Sequence, residues 1–345
     1  MIKPELTIEE HIRIAREIKE CLAINEQVRY SVNLTGGEPF VNRHIIEIIE
    51  AYLSAGLQVN MSTNGMLIKN WQIEKLRDYG VVLSISLDGS FEEGHDFVRG
   101  KGAFVKATER IKALVETGVK IGINFFVHEG NISDMDKTIS LAFNLGCSGF
   151  NPINLVQLGR ASKSPLNRVS EIEIFKILAR HLDFYPEHRP MFKSSSLFSS
   201  LGAALLSGIT CVSCGIGNRP CIYITSEGDV YPCPNTQHER FHLGSLRSQS
   251  LYECIKKDHP VYQELKVLNV DTMNTTCQVC DVRKFCGGDC RGETFNVTGN
   301  IKAPYLACKD RHDSIVELMW IVARQPELFE ARANEYLTSI ASYDQ

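Results

Sequence analysis

Residues 277–290 read CQVCDVRKFCGGDC, which spaces four cysteines as Cys277-x2-Cys280-x5-Cys286-x3-Cys290. Thiolates are soft ligands, and a polynuclear site needs four of them converging from separate loops. Working outward, a lone Cys308 follows. Cys214, Cys221 and Cys233 precede, the last closing Gly228-x4-Cys233 in EGDVYPC. Nine of the twelve cysteines fall between Cys214 and Cys308, and eight of these are spaced for two metal clusters. A zinc ribbon would use Cys277-x2-Cys280 as half of its site, yet the x5 and x3 steps and the further cysteines fit a single ribbon poorly. Disulfides are disfavoured, because the chain is long and its start, MIKPELTIEEH, is too polar and acidic for a signal or transit peptide. Cys21, Cys147, Cys211 and Cys254 are expected to pack as small apolar side chains.

With 345 residues, 43% of them hydrophobic and 23% charged, about two domains with a sizeable core are expected. A net charge of −4 gives no reason to propose nucleic acid or an acidic membrane as partner. No apolar run approaches the roughly 18 residues of a membrane span. These features point to the cytoplasm.

Residues 1–161 repeat a unit of amphipathic helix, glycine and apolar strand. The first helix opens on a capping box, Thr7-x-x-Glu10, and presents Ile8, Ile12, Ala15, Ile18 and Leu22 as its apolar face. Gly56, Gly80, Gly118 and Gly146 each follow a helical segment as a C-terminal cap should. Strands are expected near Ser31–Thr35, Leu57–Ser62, Val81–Leu87, Lys120–Val127 and Phe150–Val156, in a parallel sheet with helices outside. Such units carry functional loops at the carboxyl ends of their strands. There stand Thr35-Gly36-Gly37-Glu38-Pro39, then Ser62-Thr63-Asn64-Gly65, then Ser86-Leu87-Asp88-Gly89 followed by Arg99. Residues 162–213 read as a helical bridge. In the cysteine-rich segment, 214–308, a hairpin turn is expected at Glu227-Gly228-Asp229. A helical tail follows over 309–345, with Ile315, Leu318, Met319 and Ile321 as its apolar positions and no visible chemistry.

These motifs together resemble radical S-adenosylmethionine (SAM) enzymes with a C-terminal SPASM domain, of the peptide and protein maturase type. The resemblance covers nearly the whole chain. It implies an α/β fold: a partial (β/α)6 TIM-like barrel lacking its first strand, then a small cysteine-rich domain and a C-terminal helix. Two auxiliary [4Fe–4S] clusters are implied, one held by Cys214, Cys221, Cys233 and Cys290, the other by Cys277, Cys280, Cys286 and Cys308. Cys221 is the position at which the family varies. Gly36, Gly37, Glu38 and Pro39 look like the motif that receives the amino group of SAM. The resemblance puts Ser62, Asn64, Ser86 and Asp88 near its ribose and methionine groups, Arg99 on its carboxylate, and Gly159-Arg160-Ala161 on the adenine side.

The family's Cys-x3-Cys-x2-Cys loop, which holds a third, core [4Fe–4S] cluster, is absent from these 345 residues. As written, the chain is therefore expected not to generate a 5′-deoxyadenosyl radical. A start downstream of that loop is the favoured explanation, since a segment like ELTIEEHIRIAREI follows the loop in the family; a pseudoenzyme is the alternative. The resemblance implies hydrogen-atom abstraction from a ribosomally made peptide or protein, forming a thioether, a carbon–carbon crosslink or a related oxidised product. An electron donor such as a flavodoxin or ferredoxin is also implied. Sulfatase maturation is less favoured, because Pro234 follows Cys233 where those members carry aspartate. Tetrapyrrole chemistry is a further enzymatic alternative, and an iron–sulfur electron carrier or scaffold the non-enzymatic one.

Overall fold

The structure, a computed structural model, describes residues 4–22, 30–156, 166–192, 197–218 and 221–343. Gly159, Arg160 and Ala161 lie outside the described residues. Two compact units divide the chain. One comprises Met1–Ser86, Gly102–Gly122 and Ile216–Val267; the other comprises Leu87–Lys101, Ile123–Gly215 and Leu268–Gln345.

The front of the chain alternates helix and strand as its glycine punctuation predicts: α1 (Ile8–Leu22), β1 (Ser31–Leu34), α2 (Ile45–Ser54), β2 (Gln58–Thr63), α3 (Asn70–Asp78), β3 (Val82–Ser86), α4 (Glu92–Arg99), α5 (Ala103–Thr117), β4 (Lys120–Val127), α6 (Met135–Asn144) and β5 (Gly149–Asn154). The five strands form one parallel sheet in the order β1-β2-β3-β4-β5. The register sets Asn33 beside Asn60 and Ser62 beside Ser84. The four predicted capping glycines all take positive φ, from 64° to 94°.

The strands are not uniformly apolar. Val59 and Met61 on β2, Leu83 and Ile85 on β3, and Ile121, Ile123 and Phe125 on β4 are buried on one face. Alternate positions, among them Asn60, Ser62, Ser84 and Ser86, are only half-buried. The period-2 alternation leaves one face of the sheet polar and open, as a strand packed by helices on a single side requires.

Helix α1 corrects one expectation. Its capping box forms, with Glu10 N 3.3 Å from Thr7 Oγ1 and Thr7 N 2.7 Å from Glu10 Oε2. Its buried stripe, however, is Ile14, Ala15 and Ile18, while Ile12 is 54% exposed. The helix is rotated because it packs against both α2 and a later short helix, with His11 lying edge-on to Tyr52.

Two helices follow, α7 (Glu171–Phe184) and α8 (Leu197–Ser207). Next comes a small antiparallel sheet of β6 (Tyr223–Ile224), β7 (Asp229–Tyr231) and β8 (Gly244–Ser245), which shares a compact unit with α1. Its turn spans Thr225–Gly228, with Gly228 N donating to Thr225 O, so Asp229 already belongs to the strand. Leu6 N donates to Ser226 O at 2.7 Å, and Arg247 pairs with Glu10 at 3.0 Å. Leu251 N, opening α9 (Leu251–Ile255), donates to Glu17 at 2.6 Å.

After α10 (Pro260–Lys266), the second unit resumes with α11 (Thr275–Gln278), α12 (Arg283–Cys286), α13 (Arg291–Thr298), α14 (Cys308–Arg324) and α15 (Glu330–Tyr343). The predicted tail packs back: α14 lies on α7 and α15 on α8, with Ile315, Leu318 and Ile321 buried. Among the described residues, no helix is long and apolar enough to cross a membrane. Of the four cysteines expected to pack as apolar groups, Cys147 and Cys254 are buried and Cys21 is half-buried. Cys211 is exposed, because it precedes a turn instead of entering a helix face.

Candidate functional site

The turn after β1 is built around one carboxylate. Glu38 accepts hydrogen bonds from Phe40 N (3.1 Å) and Thr63 Oγ1 (2.6 Å) on Oε1, and from Asn64 N (2.8 Å) on Oε2. A carboxylate offers about four acceptor sites, so about one remains. Gly36 has φ +143°, a conformation suited to glycine, and a Cβ at Gly36 or Gly37 would meet nothing within 4 Å. The backbone is therefore open here. Pro39 begins a short 3-10 turn that Glu38 caps. Ser62 ends β2 and Ser86 ends β3, both half-buried, in the same unit as Glu38. Asn64 is held twice, its backbone N–H by Glu38 and its Oδ1 by Met66 N at 2.8 Å.

Asp88, in the second unit, is fully buried. Its Oδ1 accepts from Phe126 N (2.8 Å), its Oδ2 pairs with Arg99 Nε (2.5 Å), and its backbone N–H donates to His95 Nδ1 (3.0 Å). Arg99, 32% exposed, is thereby tied to the strand end, and Asp88 orients the guanidinium. Sequence reasoning passed over His128, which directly follows β4 at its carboxyl end. Its Nδ1 accepts from Gly130 N, and its buried Nε2 has no hydrogen-bond partner among the described residues. Burial holds this imidazole below its usual pKa, against the pull of Asp88 and Glu129.

The cysteines gather most clearly in the second unit. Cys277, Cys280, Cys286 and Cys308 line one small cavity together with Arg283, Gly288, Tyr305 and Arg311. Asn274 caps α11 by accepting from Cys277 N at 2.9 Å, and Cys308 is the first residue of α14, where the helix dipole favours a thiolate. Without a metal the thiol forms of Cys286 and Cys308 are preferred. Burial, and then Asp289, pushes Cys286 up to about 11; burial, and then Cys277 and Cys280, raises Cys308. A coordinated metal reverses this by deprotonating the thiol outright.

The donor set is four soft sulfurs on one wall system, with two guanidinium side chains beside them. That fits an anionic tetrathiolate iron–sulfur cluster. Arg291, with no exposed surface, donates to Gly288 O, Ile301 O (3.2 Å) and Ala303 O (2.7 Å), and so braces the cavity wall. The helical tail, expected to carry no chemistry, supplies Arg311 to the lining; only its spacing of three from Cys308 could have signalled it.

The other four cysteines are divided, two in each unit: Cys214 and Cys290 in one, Cys221 and Cys233 in the other. Cys290 caps α13, its Sγ accepting from Glu293 N at 3.4 Å. Cys221 Sγ donates to Pro232 O at 3.6 Å. Cys233 N donates to Thr236 Oγ1 at 3.1 Å.

Comparison with known proteins gives this geometry a family. The radical SAM superfamily model matches residues 3–142, and the SPASM model, an iron–sulfur cluster-binding domain, matches residues 214–281. The chain is 29% identical over 285 residues to the AdoMet-dependent heme synthase of Methanosarcina barkeri, covering 77% of this chain and 78% of that protein. It is 28% identical over 280 residues to the mycofactocin maturase MftC of Mycobacterium ulcerans, covering 78% and 72%. The "Probable GTP 3',8-cyclase" of Sulfurisphaera tokodaii is 30% identical over 245 residues, covering 67% and 76%. Among solved structures, anSMEcpe with bound AdoMet superposes with a TM-score of 0.70 at 18% identity, covering 95% of this chain and 90% of that one. SuiB of Streptococcus suis bound to its precursor peptide SuiA superposes with a TM-score of 0.69 at 17% identity, covering 90% and 70%. The partial barrel expected from the sequence is thus the fold of these enzymes, and their cofactors are SAM and iron–sulfur clusters. This chain belongs to the radical SAM superfamily and carries the SPASM iron–sulfur extension.

Proposed function

We infer that this chain is a maturase of a ribosomally made peptide or protein, with S-adenosylmethionine as its cofactor. The convergence of Cys277, Cys280, Cys286 and Cys308 on one cavity carries this reading, because a second cluster site of that kind has no use in a simple SAM-binding protein. Maturases among the relatives, and a peptide-bound SuiB with the same fold, support the substrate class. SAM together with a reduced core cluster, whose Cys-x3-Cys-x2-Cys ligands are absent from these 345 residues, would supply the one-electron chemistry able to remove a hydrogen atom from carbon.

The chain's own residues bind and orient. The open Gly36-Gly37 backbone offers carbonyls to the ammonium of SAM, while Glu38 is spent mainly on holding the turn to Thr63 and Asn64. Ser62, Asn64 and Ser86 present polar groups at strand ends for the ribose and methionine. Arg99, steadied by the buried Asp88, would receive the carboxylate. Cys214, Cys221, Cys233 and Cys290 are assigned to one auxiliary cluster and Cys277, Cys280, Cys286 and Cys308 to the other. An electron donor such as a flavodoxin or ferredoxin would supply the electrons.

Tetrapyrrole modification is the second reading, favoured by the 29% identity to a heme synthase. Anaerobic reconstitution followed by iron analysis and ligand binding separates the two. The maturase reading expects about eight iron per chain, SAM binding lost in Gly36→Val, and uptake of a genomically neighbouring precursor peptide in preference to porphyrin. Zinc without a brown chromophore, or preferential binding of porphyrin, would overturn it.

A further inference from the structure

One wall residue of the four-cysteine cavity, Arg311, belongs to a largely buried chain of opposite charges. Glu293 lies 3.7 Å from Arg168, Arg168 2.9 Å from Glu171, Glu171 2.6 Å from Arg311, and Arg311 2.9 Å from Asp289. Glu171 and Arg311 are only 4% and 7% exposed. The Arg311–Asp289 contact is an ion pair without hydrogen-bond alignment. Arg311 stands on the cavity wall with the four thiols. Burial alone would weaken its charge, but the carboxylates of Asp289 and Glu171 outweigh that and keep it a permanent cation. Asp289 has φ +54°, the only positive value outside glycine among the described residues, and sits between Cys286 and Cys290. Its Oδ1 accepts from Cys290 N at 2.6 Å.

On the reading above, in which Cys277, Cys280, Cys286 and Cys308 hold an iron–sulfur cluster, we propose that Arg311 and Asp289 form a charge couple that sets the reduction potential of that cluster. A cluster gains one negative charge on reduction. A guanidinium fixed at its wall in a low-dielectric setting favours the reduced form, and a carboxylate opposes it. Arg311 acts from the helix that begins at Cys308, and Asp289 from the turn that ends at Cys290. The potential therefore depends on two side chains that are not ligands. Both are positioning residues.

Opposite signs separate tuning from support. The full chain is reconstituted anaerobically, and the cluster is followed by a paramagnetic-resonance redox titration, its signal assigned by loss in Cys308→Ser. Arg311→Met is expected to lower the potential by at least the tenfold equivalent, 59 mV for a one-electron couple. Asp289→Asn keeps the hydrogen bond to Cys290 and tolerates the left-handed backbone, and is expected to raise the potential; Arg311→Lys should fall between Arg311→Met and the wild type. Unmoved potentials in a loaded Asp289→Asn, or shifts of the same sign in both charge variants, overturn the couple. Should Arg311→Met fail to fold, a rise in Asp289→Asn sustains it and no rise ends it. A wild type that takes up no iron overturns the cluster reading and this inference together, whereas a loaded wild type with insensitive potentials overturns this inference alone.

Discussion

Two Gly-Gly-acid turns occur in this chain, Gly36-Gly37-Glu38 after β1 and Gly287-Gly288-Asp289 after α12, and they solve opposite problems. In the first, glycine leaves empty space and Glu38, in extended backbone at φ −138°, binds neutral donors on the neighbouring strand end. In the second, glycine avoids collision. A Cβ at Gly287 would lie 2.8 Å from Cys211 Sγ and 3.0 Å from Ser213 O, and one at Gly288 would lie 2.6 Å from Met273 Cε. Asp289 continues the left-handed path and faces a buried cation. An open turn lends its backbone to a ligand; a filled turn aims the residues on either side of it. Identical composition thus serves reception in one place and direction in the other.

The sharpest way to break the comparison is to empty the second site. Cys308→Ala should drop reconstituted iron from about eight to about four per chain by chemical analysis, if ligation couples to folding of this segment alone. Next, Arg291→Met removes a guanidinium from three carbonyls at a site with no solvent. The expected loss is about 3 kcal/mol in denaturant unfolding, from hydrogen bonds to a charged group and unsatisfied carbonyls. Gly287→Val should cost about 2–4 kcal/mol through left-handed strain and overpacking, while Gly37→Ala should stay within about 0.5 kcal/mol; equal effects would erase the distinction drawn here. Glu38→Gln keeps the shape but loses charge-assisted acceptance, for about 1 kcal/mol, with weaker SAM binding by calorimetry.

The smallest effect is in pH. His95, His128, His181 and His188 are all buried, and desolvation lowers each pKa below 6.5. The unfolded chain then binds more protons than the folded one below that value, so the stability these groups contribute is present above about pH 6.5 and is lost as pH falls. Thermal melts from pH 7.5 to 5.5 should show a decline, reduced in His188→Phe.

Much of this was readable in advance because it is local. The strand positions, the capping glycines and the cysteine spacing each depend on residues a few places apart, and a period of two or of 3.6 is written directly in the chain. What escaped depends on distant partners. Ile12 was expected to be buried and is exposed, because α1 turns toward both α2 and α9, and nothing within α1 encodes a partner 234 positions away. Arg311 was unreadable for the same reason: its meaning comes from Glu171, 140 residues earlier. The Cys211 turn and the orphaned Nε2 of His128 likewise need coordinates.

The contact between Glu17 and Leu251 has a consequence for how the molecule is made. A helix synthesised ahead of its capped partner must wait for it, the two being separated by 234 positions. At about 5–20 residues per second that wait is roughly 12 to 47 s, during which the contacts of α1 with α9 are unmade while α2 is already available to it.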